Sequence, residues 1–483
     1  MRVKKFNSLF KSQDKKQTLL LAIQIVITQK YGYILEQYNL SCITRIPSMT
    51  TETVTLEKIV ALCKRRGFVF QSAEIYSGLN GVYDFGPLGT LLRNNIKALW
   101  LKHMTQWPEE VIQMDGSILG SGQVWKASGH LENFSDPMVD CTNCKKRYRA
   151  DDMDLERPCP SCGIKSWTDV RQFQLMFETN LGAMADSASK AYLRPETAQA
   201  IFINFKNVFS SCRVKIPFGI AQIGKAFRNE ITPKQFLFRL REFEQMEMEF
   251  FCKGETARHF FDMWIERRRV FYQDLGIDLN KLRVRPHAAD ELSHYSRGTV
   301  DYEYNFPFGW KELEGVANRG DFDLTQHSTH SGKELAVFDE ETKASYVPHV
   351  VECSLGVDRL FLTLLFDAYH EDEVEGEVRT VLRLSPKVAP IKAAVLPLVK
   401  KLNEPAEKLY QALKAAGIST QFDESGSIGK RYRRQDEIGT PVCLTIDFVT
   451  LEDNCVTARN RDTLVQERIA IDRVVDYVLA MQR

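Results

Sequence analysis

The sequence predicts an α+β fold, in which a larger sheet domain is followed by a smaller α/β domain. Residues 223–251 contain two strand patterns joined by a loop, which is typical of neighbouring strands in a sheet. Two Cys-x-x-Cys motifs between residues 139 and 171 predict a separate metal-binding unit. From about residue 387 the pattern becomes strand, helix, strand, which indicates a small α/β domain with a mixed sheet.

Composition limits the classes of protein to which the chain can belong. The 483 residues are 44% apolar and 26% charged, which is enough for two or three domains with real cores. A net charge of +1 gives no global signal for nucleic acid, so any RNA contact must come from local patches. The longest apolar run, residues 19–27, is too short to span a bilayer and contains Gln24, so no membrane partner is expected.

The number and spacing of cysteines favour a reducing compartment. Eleven cysteines is an odd number, and they are scattered except for one group of four. Four thiolates in two knuckles fill a tetrahedral zinc site, which would be structural because no coordination position stays open. The alternative is a chance grouping. The metal ligands predicted on this basis are Cys141, Cys144, Cys159 and Cys162. Basic residues between the knuckles suit either RNA or a solvated ribbon tip.

The strand pair at residues 223–251 separates polar from apolar side chains, because successive side chains point to opposite faces. Met246, Met248 and Phe250 share one face of the second strand. The other face carries Arg239, Arg241, Phe243, Gln245 and Glu247. Cations, a ring and carboxylates on one face suit an anionic, planar ligand such as a nucleotide, with arginine on phosphate. A solvated strand with charges of both signs is the alternative.

Elsewhere the chain offers capped helices and short strands. A helix that begins after Thr50 should end at Gly67, and Glu196 should lie at the start of a helix, where a carboxylate caps free N–H groups. His327 and His330 are expected on a loop, partly exposed, rather than as metal ligands. A final helix is predicted over residues 465–481.

The strand pair resembles motif 2 of the class II aminoacyl-tRNA synthetases, which is Phe-Arg-x-Glu, a loop, and Arg-x-x-x-Phe-x-x-x-Glu. The matching residues are Phe227, Arg228, Glu230, Arg239, Phe243 and Glu247. The sequence around them is similar to that of the homodimeric glycyl-tRNA synthetases, and the resemblance runs from about Leu56 to the C-terminus. It implies an antiparallel sheet flanked by helices, with a zinc-ribbon insertion and a C-terminal anticodon-binding domain.

The resemblance also implies domain boundaries, which we take as expectations. The predicted parts are an N-terminal extension at 1–48, a catalytic domain at 49–386, the zinc ribbon at 139–171 within it, and an anticodon-binding domain at 387–483. Because the resemblance begins after Met49, we favour an over-extended start codon for the extension, with a transit segment and a secretory signal as alternatives. A cytoplasmic location is expected, with organellar import if the extension is real.

The activity implied by the resemblance is glycine–tRNA ligation. Glycine reacts with ATP to form glycyl-adenylate and is then transferred to the 3′ end of tRNA(Gly). ATP, Mg²⁺ and structural Zn²⁺ are the implied cofactors, and the helix at residues 90–104 would belong to a homodimer contact. Three alternatives remain open: a catalytically inactive synthetase-like protein that binds nucleic acid, a class II synthetase for another small amino acid, and a protein that is primarily a nucleic-acid module because of its zinc ribbon.

The resemblance assigns site residues one by one. Arg228 would hold the α-phosphate, Glu230 the adenine amino group and Arg359 the far phosphates, while Phe243 stacks on the base. Arg228 and Arg359 are the implied catalytic residues, and Cys353 stands where the family usually has proline. The implied ATP-binding residues are Arg228, Asn229, Glu230, Phe238, Arg239, Leu240, Arg241, Glu242, Phe243, Glu312, Leu313, Gly356, Val357, Asp358 and Arg359. The implied glycine-binding residues are Glu196, Phe243, Glu244, Gln245, Met246, Glu247, Glu352 and Ser354, and the candidate magnesium ligands are Glu312 and Glu352.

Overall fold

A computed structural model describes most of the chain from residue 54 onward. The described residues are 54–151, 153–182, 189–293, 296–374 and 376–482. The extension predicted at 1–48 lies outside them. Contacts divide the chain into two units, and the elements discussed below belong to the unit of Thr51–Glu371 and Val378–Arg483. The described residues of the other unit are Asp372–Val374, Gly376 and Glu377.

Helices and strands alternate irregularly along the described residues. The helices are α1 (Leu56–Arg66), α2 (Pro87–Thr105), α3 (Gly122–Ala127), α4 (His130–Asn133), α5 (Ala198–Cys212), α6 (Ala257–Leu275), α7 (Phe322–Ser331), α8 (Val357–Ala368), α9 (Asn403–Ala415), α10 (Ile428–Ile438), α11 (Thr450–Asp453) and α12 (Val474–Ala480). The strands are β1 (Val69–Gln71), β2 (Tyr83–Phe85), β3 (Val111–Gln113), β4 (Leu119–Ser121), β5 (Ser135–Asp140), β6 (Arg147–Arg149), β7 (Arg171–Gln174), β8 (Phe177–Asn180), β9 (Lys190–Leu193), β10 (Phe218–Phe227), β11 (Glu242–Cys252), β12 (Leu282–Pro286), β13 (Gly298–Phe306), β14 (Gly309–Gly320), β15 (Val337–Asp339), β16 (Ala344–Tyr346), β17 (His349–Gly356), β18 (Tyr369–Val374), β19 (Glu377–Leu382), β20 (Ala393–Pro397), β21 (Thr420–Phe422), β22 (Val442–Ile446), β23 (Cys455–Asn460) and β24 (Gln466–Ala470).

A seven-stranded sheet forms the largest layer of the described residues, in the order β12-β13-β14-β17-β11-β10-β3. All neighbours are antiparallel except β10 and β3, which run parallel. The central strands β11 and β17 pair in a register that sets Glu247 opposite Ser354 and Glu249 opposite Glu352. The predicted α+β fold with an antiparallel sheet flanked by helices is therefore confirmed.

The two faces of this sheet pack against different helices. Met246, Met248 and Phe250 of β11 pack into the large core that α2, α6 and α8 cover. Phe251 points to the other face, where its ring centre lies 4.6 Å from that of Phe205 on α5, within a second apolar cluster. Because side chains alternate along β11, Glu247 and Glu249 lie on the same face as Phe251. The chemistry predicted for the strand pair is thus separated from the main core by the sheet itself.

A second sheet of five strands, β21-β20-β22-β23-β24, lies near the C-terminus. Strands β21, β20 and β22 run parallel, whereas β22, β23 and β24 run antiparallel, so the sheet is mixed as predicted. Helices α9 and α12 bury Leu409, Leu413 and Val478 against it. The boundary proposed between residues 386 and 387 stays a prediction.

The final helix predicted over residues 465–481 is wrong in its first half. Residues Gln466–Ala470 form strand β24, and only Val474–Ala480 form a helix. The strand is fixed by its ladder with β23 and by Arg468, whose guanidinium donates to Asp447 at 2.9 Å and to Asp453 at 2.6 Å. Asp447 and Asp453 lie 21 and 15 residues before Arg468 in the sequence, so the periodicity of residues 465–481 could not reveal these contacts.

A buried ion pair ties α6 to β14 and should be needed for stability. Arg268 Nε donates to Glu314 at 2.6 Å, and both side chains are at most 1% exposed. Replacing Arg268 with methionine keeps an unbranched side chain but leaves the Glu314 carboxylate without its cation. We expect the free energy of unfolding, measured by urea denaturation, to fall by about 3 to 5 kcal/mol.

The matched control is Arg258→Met on the same helix. Arg258 is 79% exposed and pairs with Asp262 one turn away, so the variant should unfold within about 0.5 kcal/mol of the wild type. Equal effects of the two substitutions would contradict a special role of the buried pair.

Candidate active site

A cavity of about 370 Å³ opens between the loop that joins β10 to β11 and the start of α8. It brings together residues from four distant parts of the chain. Its lining residues are Phe134, Asp136, Arg149, Leu175, Arg228, Glu230, Leu237, Phe238, Arg239, Leu240, Phe243, Gln245, Glu312, Leu313, Ser354, Gly356, Asp358 and Arg359.

Arg228 is held in this cavity on several sides. Its backbone N–H donates to the Arg241 carbonyl at 2.9 Å, and its Nε donates to the Pro195 carbonyl at 3.2 Å. The guanidinium carbon lies 5.2 Å from the centre of the Phe134 ring and 5.3 Å from that of Phe243. An arginine restrained in this way is pre-organised to bind an anion, because less side-chain entropy is lost on binding.

Glu230 offers a hydrogen-bond acceptor to a ligand in the same cavity. The side chain is largely buried, and Oε2 has no hydrogen-bond partner among the described residues. Burial raises the pKa of Glu230, while the Arg239 charge, 4.0 Å away, opposes that rise. A buried acceptor without a donor is unfavourable, so a ligand amino group at this position would be stabilised.

Arg359 supplies a second guanidinium at the start of α8. Its central carbon lies 4.5 Å from the centre of the Phe238 ring, and Nη1 donates to the Glu312 carbonyl at 3.1 Å. The Glu312 carboxylate lies 3.3 Å from the same nitrogen and is 55% exposed. The cavity therefore has arginines on two sides, with a carboxylate beside one of them.

Buried carboxylates lie next to the cavity on the face of the sheet that α5 covers. Glu247 accepts hydrogen bonds from Ser354 Oγ at 2.7 Å, Gln245 Nε2 at 3.0 Å, and both the backbone N–H and the hydroxyl of Thr197. None of these donors carries a charge. Burial and the nearby Glu196 charge raise the pKa of Glu247, and the hydrogen bonds from Ser354 and Thr197 oppose that rise.

Glu196 is paired with a histidine that the sequence did not single out. Its Oε2 lies 3.2 Å from His130 Nε2, and its Oε1 accepts from Gln199 Nε2 at 3.1 Å. Burial opposes ionisation of Glu196, but the His130 and Arg319 charges outweigh it and lower the pKa.

Glu352 is a third buried carboxylate on this face of the sheet. It accepts a hydrogen bond from Arg319 Nη1 at 2.8 Å, and burial raises its pKa to about 7.

Several residues that the resemblance implied do not line the cavity: Glu196, Asn229, Arg241, Glu242, Glu244, Met246, Glu247, Glu352 and Val357. Met246 is fully buried in the main core. Glu244 pairs with Arg93 at 2.9 Å and with Lys97 at 3.2 Å on α2. Arg241 binds the Glu230 carbonyl at 2.9 Å. These last three side chains therefore have structural partners of their own.

Five lining residues were missed by the sequence analysis: Phe134, Asp136, Arg149, Leu175 and Leu237. All except Leu237 belong to the segment that carries the cysteine motifs or to its two ends. Asp136 and Arg149 form an ion pair of 2.9 Å across neighbouring strands of the sheet β6-β5-β7. The charge-rich sequence around Arg149 suits either an RNA contact or a solvated ribbon tip, and no spacing rule connects it to residues some 80 positions later.

His327 corrects a second expectation. It lies on α7 rather than on a loop, is 6% exposed, and its Nε2 is 2.7 Å from Gln199 Oε1. Since Gln199 also contacts Glu196 and Asp323, the histidine belongs to the buried polar network behind the carboxylates.

The four cysteines predicted as metal ligands converge at one point. Their sulfur atoms all lie within 4.8 Å of one another, with Cys141 and Cys162 at 3.6 Å and Cys144 and Cys159 at 3.7 Å. A tetrahedral zinc ion with Zn–S bonds of about 2.3 Å would place its sulfurs roughly 3.8 Å apart. The donor set and the spacing therefore fit zinc.

Within the described part of the chain, no helix is long and apolar enough to cross a membrane.

Comparison with known proteins places the chain in a family. Residues 177–369 match the tRNA synthetase class II core domain (G, H, P, S and T), and residues 392–481 match the anticodon binding domain. The glycine–tRNA ligase of Caldanaerobacter subterraneus subsp. tengcongensis is 52% identical over 452 residues, which are 88% of this chain and 98% of that protein. The glycine–tRNA ligase of Alkaliphilus oremlandii is 50% identical over 458 residues, which are 89% and 99% of the two chains.

The resemblance inferred from motif 2 is thus confirmed over most of the chain. At about half identity across nearly the whole length of these relatives, the protein belongs to the glycine–tRNA ligase family of the class II aminoacyl-tRNA synthetases.

Proposed function

We propose that the protein joins glycine to tRNA(Gly) in two steps, of which the first consumes ATP. A carboxylate oxygen of glycine attacks the α-phosphorus of ATP and pyrophosphate leaves; a hydroxyl of the terminal adenosine of tRNA then attacks the glycyl carbonyl, and AMP leaves. The observation that carries this proposal is the contact between the two substrate subsites. Ser354 lines the cavity that holds Arg228 and also donates to the buried carboxylate of Glu247.

In the ATP subsite, the proposed role of Arg228 is to stabilise charge at the α-phosphate. Its guanidinium carbon lies within 5.3 Å of the centres of two rings, one of which, Phe243, would stack on adenine. Glu230 Oε2, which has no hydrogen-bond partner among the described residues, would accept a hydrogen bond from the adenine amino group. Arg359 would bind the phosphates beyond the α-phosphate. Catalysis then consists of in-line positioning and electrostatic stabilisation of the pentavalent transition state.

In the glycine subsite, Glu247 and Glu196 would bind the ammonium group. Neutral donors hold both oxygens of Glu247, so its negative charge is not cancelled by a neighbouring cation. The Ser354 hydroxyl is 2.7 Å from Glu247, so it would lie beside the α-carbon of a glycine whose ammonium Glu247 binds. Larger amino acids would be excluded by these packed walls at a cost of about 1 to 3 kcal/mol or more.

Magnesium fits the site as a partner of the phosphates rather than as a preformed cluster. Among the described residues, the four cysteines are the only group of three or more side chains that could together hold a metal ion. Magnesium commonly uses only one or two carboxylates plus phosphate oxygens. Glu312, which is exposed beside Arg359, and Glu352 are the proposed protein ligands. When bound, the ion would neutralise charge on the phosphates.

Further parts of the proposal concern assembly and location. Homodimerisation is supported by two neighbouring apolar side chains left exposed, Ile75 at 87% and Tyr76 at 82%.

The five-stranded domain would bind the anticodon region. Two arginines of its helix α10 already have partners within the protein, since Arg431 is buried and Arg434 pairs with Asp423. A cytoplasmic location is proposed because the curated relatives are translation enzymes.

Replacing Glu247 with glutamine tests the glycine subsite. The amide would remove the charge and place an N–H group against the donors of Thr197, Gln245 or Ser354. We expect glycine binding to weaken by about 2 to 5 kcal/mol, seen as a raised KM for glycine in ATP–pyrophosphate exchange, with the KM for ATP little changed. The control is Glu255→Gln, at an exposed position just beyond β11. Unaltered glycine dependence in Glu247→Gln would remove this residue from the subsite.

The raised pKa of Glu352 predicts a pH dependence. Burial raises this pKa to about 7, so the group is largely protonated below pH 7 and ionised above it. If its charge supports the bound ammonium or magnesium, kcat/KM for glycine should rise with pH through about 7. Glu352→Gln should give a low and flatter profile, whereas Glu255→Gln should keep the wild-type profile. A wild-type rate that does not change between pH 6 and 8 would contradict the role.

One zinc ion per chain is expected from elemental analysis of the purified protein. Cys162→Ser should lose the metal, because three thiolates bind zinc less tightly than four, and the ribbon should unfold while adenylate formation persists in part. Cys212→Ser, at an exposed lone cysteine, should retain the zinc. Wild-type protein without stoichiometric zinc would refute the assignment.

A further inference from the structure

The four-cysteine insertion joins the rest of the protein through a narrow neck. The chain enters it at Phe134 and leaves it at Leu175, and the Leu175 N–H donates to the Phe134 carbonyl at 3.1 Å. Gln174 Nε2 closes the neck further by donating to the carbonyls of Leu131 at 3.0 Å and His130 at 3.3 Å. The neck is therefore held together by hydrogen bonds between its two strands of chain.

Both sides of this neck contact consecutive residues of the loop between β10 and β11. The Phe134 ring lies 5.2 Å from the Arg228 guanidinium carbon, and the Leu175 carbonyl accepts from the Asn229 N–H at 2.7 Å. The Phe243 ring centre is 5.3 Å from the same carbon, so Phe134 is one of two rings that restrict the Arg228 side chain.

The same neck also reaches the glycine subsite. His130, four residues before Phe134, has its Nε2 3.2 Å from Glu196 Oε2. Its other ring nitrogen is 2.8 Å from Ser128 Oγ, and its ring packs edge-on against Trp125 and beside Phe134, with centroids 5.5 Å apart in each case. These contacts fix the imidazole in position, so the Glu196 carboxylate has a rigid partner.

We propose that His130 and Phe134 are positioning residues for the two substrates: His130 orients the Glu196 carboxylate for the glycine ammonium, and Phe134 orients the Arg228 guanidinium for the α-phosphate. One short segment thereby sets the relative placement of glycine and ATP. This inference rests on the function proposed above, but it adds residues that lie outside motif 2 and outside strand β17.

The test separates the two substrates in ATP–pyrophosphate exchange by the full-length, zinc-loaded protein. His130→Ala should raise the KM for glycine about tenfold, the size of one hydrogen bond to a charged group, and leave the KM for ATP within about twofold. His130→Gln should recover most of the loss, because its amide N–H can still donate to Glu196. Phe134→Leu should raise the KM for ATP about 2- to 30-fold, as expected for a lost cation–π contact, with the KM for glycine little changed.

Glu132→Ala is the matched control, since Glu132 lies between the two residues and is exposed. Zinc content and thermal melting are measured for every variant, and Phe134→Tyr, which keeps a ring over Arg228, serves if Phe134→Leu does not fold. Variants that behave like the control, or that raise both KM values in parallel, overturn the inference while leaving the proposed function intact. Wild-type protein without glycine-dependent exchange overturns both.

Discussion

Burial of negative charge on one face of the sheet is the constraint on which the site depends. A carboxylate removed from water must be hydrogen-bonded or paired, or else it takes up a proton. Arg319 spends all three guanidinium nitrogens on this task, donating to Asp323 at 2.7 and 2.8 Å and to Glu352 at 2.8 Å. Thr197, just before α5, gives both its backbone N–H and its hydroxyl to Glu247.

Glu249 shows that not every buried carboxyl group on this face of the sheet has a hydrogen-bond donor. Both of its carboxyl oxygens are buried without a hydrogen-bond partner among the described residues, and burial next to Glu352 raises its pKa well above the usual range. A proton on Glu249 reduces the negative charge in the network by one. The field that would meet a glycine ammonium is therefore set by the protonation of residues behind the subsite as well as by Glu196 and Glu247.

Features with a local cause could be predicted from the sequence, and features created by distant contacts could not. Alternation along β11 was sufficient to separate Met246 and Phe250 from Glu247, because strand geometry alone decides it. The convergence of the four cysteines also followed from two local knuckles. By contrast, Phe134 reaches Arg228 across more than ninety residues of chain, and its role depends on a neck that exists only after the insertion has folded.

The hydrogen bond between Leu175 and Phe134 has a consequence for how such a chain can change over time. The two ends of the insertion are already adjacent, so the number of residues between them has little influence on where those ends lie. Lengthening or shortening a loop changes its closure entropy only logarithmically. Insertion length is thereby decoupled from the geometry of the reacting groups, and this lobe can be remodelled while its attachment point is kept.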